Sequence, residues 1–239
     1  LAAFEKIGAA AIPRLNGMFA FALYDKQDQK LRLVRDRLGI KPLYYRLDAR
    51  GLAFASEIKA LSALDPAAPE CDVSALHEWL FYGNSLGGRT LYQGIRQLPP
   101  GHCLELDLAT FEHRIEEYWS PKRQSELPSV GASTGDLIAE TRRLLEQAVK
   151  RQLVSDVPVG VFLSGGIDSS AITAFASRHY GGRLATYTAG FDFDKGVNEL
   201  PNARRVARFY GTEHNEVHVS GVEIADTVEK MVHHHDMPF

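Results

Sequence analysis

The stretch Pro158-Val-Gly-Val-Phe-Leu-Ser-Gly-Gly-Ile-Asp-Ser-Ser170 decides the fold of the second half of this 239-residue chain. Val159 to Leu163 is a short, apolar and partly β-branched run, which predicts a buried strand. After residues 164–166, apolar residues recur at helical spacing: Ile167, Ala171, Ile172, Phe175 and Ala176. A strand, a glycine turn and a helix in this order present main-chain N–H groups to an anion at the helix N-terminus.

The loop between this strand and helix has residue types that suit phosphate binding. Adjacent Gly165 and Gly166 let the main chain approach a bulky polyanion, where a Cβ would be in the way. Three hydroxyl groups add hydrogen-bond donors: those of Ser164, Ser169 and Ser170. Asp168 lies beside them, and a carboxylate next to phosphates is best explained as a ligand of Mg²⁺, which takes oxygen donors. The alternative is a plain strand–helix turn whose serines cap the helix.

The composition is that of an ordinary globular protein. Hydrophobic residues make up 45% of the chain, charged residues 24%, and the formal net charge is −3. Nothing in these values favours a nucleic-acid or membrane partner, and no apolar run reaches membrane-spanning length. Cys71 and Cys103 are too few for a disulfide framework, which fits a reducing, cytoplasmic location.

The first half of the chain is predicted to be rich in short strands. Helical spacing over Leu1–Ala11 predicts a helix that Pro13 ends. The apolar run Met18–Tyr24 predicts a strand covered on both faces, with 31–36 as its hairpin partner. Further strands are expected at 42–47, 51–56, 103–108 and 114–119, and helices at 56–64 and 73–82, the second capped by Asp72.

The second half alternates helices with strands. A long helix with one apolar face begins after Ser133, with Asp136 completing its cap. Beyond the organising strand and helix, we expect a strand at 184–191, a helix at 198–211, a strand at 214–219 and a helix at 222–232. This order predicts a parallel sheet with ligands at the carboxyl ends of its strands. The polar stretch 121–135 predicts a linker, so the domains should cover 1–120 and 136–239.

The motif Ser164–Ser170 resembles the pyrophosphate-binding loop of the N-type ATP pyrophosphatases, which cleave ATP between its α and β phosphates. No lysine follows the glycines, so the motif differs from the phosphate loop that ends in Lys-Ser/Thr. The resemblance implies ATP and Mg²⁺ as cofactors, with Asp168 as the metal ligand. In that family the main chain near Leu163 and Ala189 borders the adenine. The implied nucleotide-binding residues are Leu163, Ser164, Gly165, Gly166, Asp168, Ser169, Ser170 and Ala189.

Three earlier segments, 14–25, 35–45 and 54–61, resemble the later part of a class II glutamine amidotransferase domain. Segments 91–95 and 98–102 are similar to the way that domain ends in the glutamine-hydrolysing asparagine synthetases. The resemblance implies an α+β, β-rich amidotransferase remnant of the Ntn type, followed by an α/β synthetase domain. It also implies synthesis of asparagine through β-aspartyl-AMP, with ammonia from glutamine.

The same resemblance implies that the chain is a fragment. The family's N-terminal cysteine nucleophile would precede Leu1, and further synthetase motifs would follow Phe239. Neither Cys71 nor Cys103 can replace that nucleophile, so we expect no catalytic residue and no activity in the fragment itself. The expected partners are aspartate, glutamine and ATP, with no nucleic acid and no membrane. The sequence leaves the oligomeric state, including a homodimer, undecided.

Other residues of chemical interest have structural interpretations. Arg35, Asp36 and Arg37 predict a buried ion-pair network rather than a catalytic cluster. Met18 is expected in the core, with an ammonia passage as the alternative. Residues 233–235 are expected at a solvated helix end, because consecutive histidines splay around a helix. Two rival functions stay open: a paralogous amidotransferase or β-lactam-synthetase-like enzyme that acts on another carboxylate, and a non-catalytic remnant.

Overall fold

The structure, a computed structural model, describes residues 1–64, 69–121, 131, 133–191 and 198–237. Its residues divide into two units, one of residues 1–128 with 231–239 and one of residues 129–230. Most of the predicted linker lies outside the described residues, so the linker and the domain bounds stay predictions.

The first unit contains two antiparallel sheets, with strand orders β1-β2-β6-β7 and β4-β3-β5. The predicted hairpin of 18–24 with 31–36 is present as β1 and β2, and the strands predicted at 42–47 and 51–56 also pair antiparallel, as β3 and β4. The strands are β1 (Ala20–Asp25), β2 (Lys30–Arg35), β3 (Tyr44–Asp48), β4 (Gly51–Ala55), β5 (Arg96–Gln97), β6 (His102–Asp107) and β7 (His113–Glu117). Its main core lies around Leu33, Leu98 and Leu104, which are fully buried.

The described part of the first unit contains the helices α1 (Ala2–Ile7), α2 (Ile58–Ser62) and α3 (Val73–Tyr82) and a 3-10 turn (Gly8–Arg14). The predicted helix over Leu1–Ala11 is wrong beyond Ile7, because Gly8 takes a positive φ of 56° and the chain then tightens into the 3-10 turn. The predicted cap of α3 is confirmed, since the Asp72 side chain accepts from the N–H of Ala75 at 3.0 Å.

Strand β1 differs from its prediction because it is an edge strand whose ends are exposed, although Ala20 packs against the main core. Phe19 and Phe21 pack near Val34, whereas Met18 is 45% and Tyr24 47% exposed. The expectation that Met18–Tyr24 would be covered on both faces is therefore wrong. Met18 does not lie in the core.

Arg35 and Asp36 are buried, as predicted, but they bind the main chain. The Arg35 guanidinium donates to the carbonyl oxygens of Lys41, Leu98 and Gly39 at 2.7–2.9 Å. The Asp36 carboxylate accepts from the N–H groups of Phe19, Leu38, Ile40 and Lys41 at 2.9–3.3 Å. The predicted ion-pair network is thus replaced by side-chain to main-chain bonds that shape the loop after β2.

Residues 231–237 belong to the first unit and are fixed there through Asp236. Its carboxylate accepts from the N–H of Ile58 at 2.7 Å and lies 3.1 Å from the Lys59 ammonium. The Tyr92 hydroxyl donates to the Asp236 carbonyl oxygen at 3.1 Å. Asp236 therefore caps α2, whose own preceding residue, Glu57, gives no side-chain cap.

The second unit is built on a parallel sheet of order β10-β9-β8, which confirms the predicted topology. Its elements are α4 (Thr134–Gln152), β8 (Gly160–Phe162), α5 (Ile167–His179), β9 (Ala185–Phe191), α6 (Leu200–Tyr210), β10 (Glu213–Val219) and α7 (Gly221–His235), whose last turn belongs to the first unit. Ser133 and Asp136 form the predicted capping box of α4. Gly211 ends α6 in the left-handed conformation.

One prediction about burial in this unit is wrong. Strand β8 was expected to be buried, yet Phe162 is 88% exposed and only the next residue, Leu163, is buried. The apolar face of α4 is also exposed, with Leu137 58% and Ile138 60% accessible. The buried side of the sheet lies at Leu163, which packs against Ala203 and Ala207 of α6. Leu137 and Ile138 instead line an open groove beside Phe175 of α5.

Both cysteines are free thiols, and burial raises the pKa of Cys103 to about 11. Across the described ranges, no helix is long and apolar enough to cross a membrane. The same residues hold no group of three His, Cys, Asp or Glu side chains that could bind a metal ion. His233–His235 form the last turn of α7 and are exposed, as predicted for a helix end.

Candidate functional site

The candidate site is the loop that joins the carboxyl end of β8 to the N-terminus of α5. Leu163 fixes its beginning, because its side chain is 1% exposed and packs with Ala203 and Ala207 of α6. The Leu163 N–H donates to the Tyr187 carbonyl oxygen of β9 at 2.8 Å. The loop therefore leaves the sheet from a rigid point in the core.

Gly165 is required by both its conformation and its surroundings. Its φ is +77°, in the left-handed region that residues with a Cβ rarely adopt. A Cβ built on it would lie 2.6 Å from the main-chain nitrogen of Ala203 and 2.6 Å from Cβ of Asn202. The first turn of α6 thus lies directly against the loop.

Ser164 and Ser169 hold the loop in shape. Their hydroxyl oxygens are 2.9 Å apart, and the Ser164 N–H donates to Ser169 Oγ at 3.2 Å. The N–H of Gly166 donates to Ser164 Oγ at 3.3 Å. In this structure the two hydroxyl groups bind within the loop, so their role as phosphate donors stays a prediction.

The N-terminus of α5 offers the positive end of the site. Gly166 is the N-cap residue and provides no side-chain cap, so first-turn N–H groups lack acceptors within the helix. The helix dipole adds partial positive charge there. Ser170, half-buried, lies in the same first turn. These features suit a polyanion.

Asp168 is exposed in the first turn of α5, where its carboxylate oxygens can reach a cation beside a bound anion. A magnesium ion commonly takes one or two protein carboxylates and completes its shell with water and phosphate oxygens. The single carboxylate found here fits that donor set. It does not fit a metal site made of protein ligands alone.

Leu163 and Ala189 do not share a surface through their side chains. Leu163 is buried against α6, whereas Ala189 is exposed on the alternate face of β9. The sequence prediction that the main chain near Leu163 and Ala189 borders the base stays untested.

Two neighbours of the loop were missed by sequence reasoning. Thr188 donates its hydroxyl hydrogen to the carbonyl oxygen of Leu163, and Asn202 packs on Gly165. The alternation of 184–191 could have indicated Thr188, since it places this residue on the buried face beside Ala189. Nothing in the sequence pattern indicated Asn202, whose contact depends on where α6 docks.

Comparison with known protein families divides the chain into two matched regions, in the same order as the two domains predicted from the sequence. Residues 1–119 match the glutamine amidotransferase domain family, and residues 140–239 match the asparagine synthase family. Among curated relatives, a glutamine-hydrolysing asparagine synthetase 3 of Bacillus subtilis is 34% identical over 95% of this chain. A putative glutamine-hydrolysing asparagine synthetase of Mycobacterium bovis is 35% identical over 100% of it. The amidase chyE of Penicillium rubens is 31% identical over 100% of it.

This chain spans 36–38% of the length of these three relatives. Among solved structures, a glutamine-dependent NAD+ synthetase of Acinetobacter baumannii aligns over 96% of this chain and 56% of its own, with 14% identity and a TM-score of 0.33. That likeness is too weak to support an argument. The two domain matches together take in nearly the whole chain: a glutamine amidotransferase domain match is followed by an asparagine synthase match, and the chain is similar to glutamine-hydrolysing asparagine synthetases.

Proposed function

We propose that this chain is part of a cytoplasmic ligase that makes asparagine from aspartate, ATP and glutamine. The β-carboxylate of aspartate attacks the α-phosphate of ATP, the bond to the β-phosphate breaks, and pyrophosphate leaves. Ammonia from glutamine then attacks the acyl carbon of the resulting β-aspartyl-AMP and displaces AMP. The observation that carries the proposal is the Ser164–Ser170 loop at the carboxyl end of a parallel strand, next to an α5 N-terminus without a side-chain cap.

The residues of the loop have distinct proposed roles. Gly165 and Gly166 let phosphate groups come close to the main chain, and the first-turn N–H groups of α5 bind their oxygens. Ser170 adds a donor, while Ser164 and Ser169 keep the loop in the binding shape. Preorganised donors of this kind stabilise the charge that gathers on the leaving pyrophosphate. In this view the second unit is a nucleotide domain of the pyrophosphatase-loop type.

Asp168 is the proposed ligand of Mg²⁺. The ion, when bound, neutralises charge on the phosphate oxygens during the displacement. Asp168 itself contributes an exposed carboxylate held at a fixed place by the first turn of α5. The first unit would deliver ammonia, as part of an amidotransferase domain of the Ntn type.

The test measures pyrophosphate release by the complete protein that contains this sequence, with ATP, Mg²⁺, ammonia and aspartate. Asp168→Asn should lower the rate at least about a hundredfold, because the metal supplies several kcal/mol of charge stabilisation. Asp156→Asn is the matched control, since Asp156 is an exposed aspartate of the same unit. Undiminished release by Asp168→Asn would refute the metal role, and no release by the unaltered protein would refute the proposed reaction.

A second candidate function is the amidation or cyclisation of another carboxylic acid by the same chemistry. It is favoured by the amidase of Penicillium rubens and a further fungal amidase, each 31% identical over the whole of this chain. The assay separates the candidates if aspartate is compared with a panel of other acids. Release that requires aspartate, with asparagine and AMP formed together, supports the first candidate, whereas release with a different acid alone supports the second.

A further inference from the structure

The hydroxyl group of Thr188 lies where the pairing of β8 with β9 ends. Thr188 is 5% exposed, and its Oγ1 donates a hydrogen bond to the carbonyl oxygen of Leu163. The N–H of Leu163 donates to the Tyr187 carbonyl oxygen at 2.8 Å. Leu163 is therefore joined to β9 by one main-chain bond and one side-chain bond.

In a regular parallel ladder both bonds would come from the main chain. Because the Leu163 N–H donates to the Tyr187 carbonyl oxygen, the Leu163 carbonyl oxygen would accept a hydrogen bond from the N–H of Ala189, two residues further along β9. The register instead ends at the pair Phe162 and Tyr187. The Thr188 hydroxyl takes the place of the Ala189 N–H and ends the ladder one step early.

The consequence for Ala189 follows from the alternation of main-chain groups along β9. The Leu184 carbonyl accepts from Glu213 at the start of β10 at 2.8 Å, whereas the Tyr187 carbonyl accepts from Leu163 on the β8 side. Even-numbered residues of β9 thus direct their main-chain groups to β10 and odd-numbered residues to β8. The N–H and carbonyl of Ala189 therefore point into the space beyond the end of β8.

The peptide group between Leu163 and Ser164 is held at both ends. Thr188 binds its carbonyl oxygen, and Ser169 Oγ accepts from its N–H at 3.2 Å. This peptide forms the junction between the strand and the glycine loop. One hydroxyl group thus acts on two features at once, the start of the loop and the open edge of β9.

We propose that Thr188 is a positioning residue of the nucleotide site, which keeps the main chain of Ala189 open to the edge of a purine base. A purine edge carries hydrogen-bond donors and acceptors, and an N–H beside a carbonyl can bind both. This inference rests on the proposed function, because it requires an adenine nucleotide at the loop. Thr188 acts through Leu163 and does not itself touch the ligand.

Three substitutions in the complete protein test the inference. Thr188→Val removes the hydroxyl group at nearly constant shape, and Thr188→Ser keeps it. Thr186→Val is the matched control, because Thr186 lies on the same strand and the same buried face but binds Thr212 Oγ1 at 2.8 Å. For each protein, the affinity for Mg·ATP and the hydrogen exchange of the Ala189 amide are measured, with and without ATP.

In the unaltered protein, ATP should slow exchange at Ala189. Thr188→Val should weaken ATP binding about tenfold, the effect of one lost hydrogen bond. It should also slow Ala189 exchange without ATP, because the ladder can then extend by one bond. Thr188→Ser should restore both values, and Thr186→Val should keep the original affinity.

The remaining outcomes overturn the inference in distinguishable ways. Unchanged affinity in Thr188→Val, or an equal loss in Thr186→Val, overturns it while the proposed function stands. If Thr188→Val does not fold, the unaltered protein still tests the inference. The inference is overturned if saturating ATP leaves the hydrogen exchange of the Ala189 amide unchanged in that protein. Failure of the unaltered protein to bind ATP at all overturns the proposed function, and the inference with it.

Discussion

Gly165→Ala should strongly destabilise the second unit, and the structure gives the size of the effect. The φ of +77° at Gly165 costs a residue with a Cβ about 1–2 kcal/mol. The new Cβ would lie 2.6 Å from the Ala203 nitrogen, which is main chain and cannot rotate away. Overpacking of this kind costs about 1–3 kcal/mol. Together these terms predict a loss of about 2–5 kcal/mol in the free energy of unfolding.

Thermal unfolding of the complete protein, followed by a probe in the second unit, measures this loss. For a unit of about one hundred residues, 2 kcal/mol corresponds to a fall in Tm of at least about 8 °C. Gly181→Ala is the control, because a Cβ there has no neighbour within 4 Å and the φ is not in the left-handed range. If Gly165→Ala melts within 1–2 °C or so of Gly181→Ala, then the loop does not pack against α6 as described.

Two further predictions concern the first unit. Asp36→Ala should lower the free energy of unfolding by about 3–5 kcal/mol at pH 7, because it leaves four main-chain N–H groups without their acceptor. Burial raises the pKa of Asp36, but these N–H groups together hold it below its usual range. The stability that the Asp36 charge contributes is thus present above a pH of about 3.9 and lost as the pH falls further. The urea midpoints of the unaltered protein and of Asp36→Ala should therefore converge at low pH. A difference between these midpoints that does not change with pH would contradict this prediction. Asp236→Ala should speed hydrogen exchange of the Ile58 amide about tenfold, because it removes the oxygen that accepts from this N–H. Asp226→Ala, at an exposed aspartate, should leave the exchange unchanged, and equal rates in the two variants would show that Asp236 does not cap α2.

Features set by short stretches of sequence could be predicted. The capping box at Ser133 and the cap at Asp72 each depend on residues three positions apart, and both are present. Strand β9 and helix α6 follow from local alternation, helical period and Gly211. The loop at Gly165 and Gly166 was likewise predicted from one continuous motif.

Features that depend on docking between distant segments could not be predicted. The exposure of Phe162 and of the apolar face of α4 depends on where α4 and α5 dock, since an open groove remains between these helices and β8. Periodicity identifies an apolar face but does not identify its partner. For the same reason the burial of Arg35 was predicted, while its acceptors, the carbonyl oxygens of a loop and of Leu98, were not.

The shape of the candidate site depends on both kinds of feature. Parallel strands require long crossover connections, so residues that meet at the carboxyl edge come from distant parts of the chain. Thr188 reaches Leu163 across a separation of 25 residues, and Asn202 and Ala203 close on Gly165 from the next helix. A loop motif therefore indicates the class of ligand, since it supplies glycines, hydroxyl groups and a helix N-terminus. The residues that fix the loop, and with them its affinity and selectivity, are found only once the neighbouring strand and helix are in place.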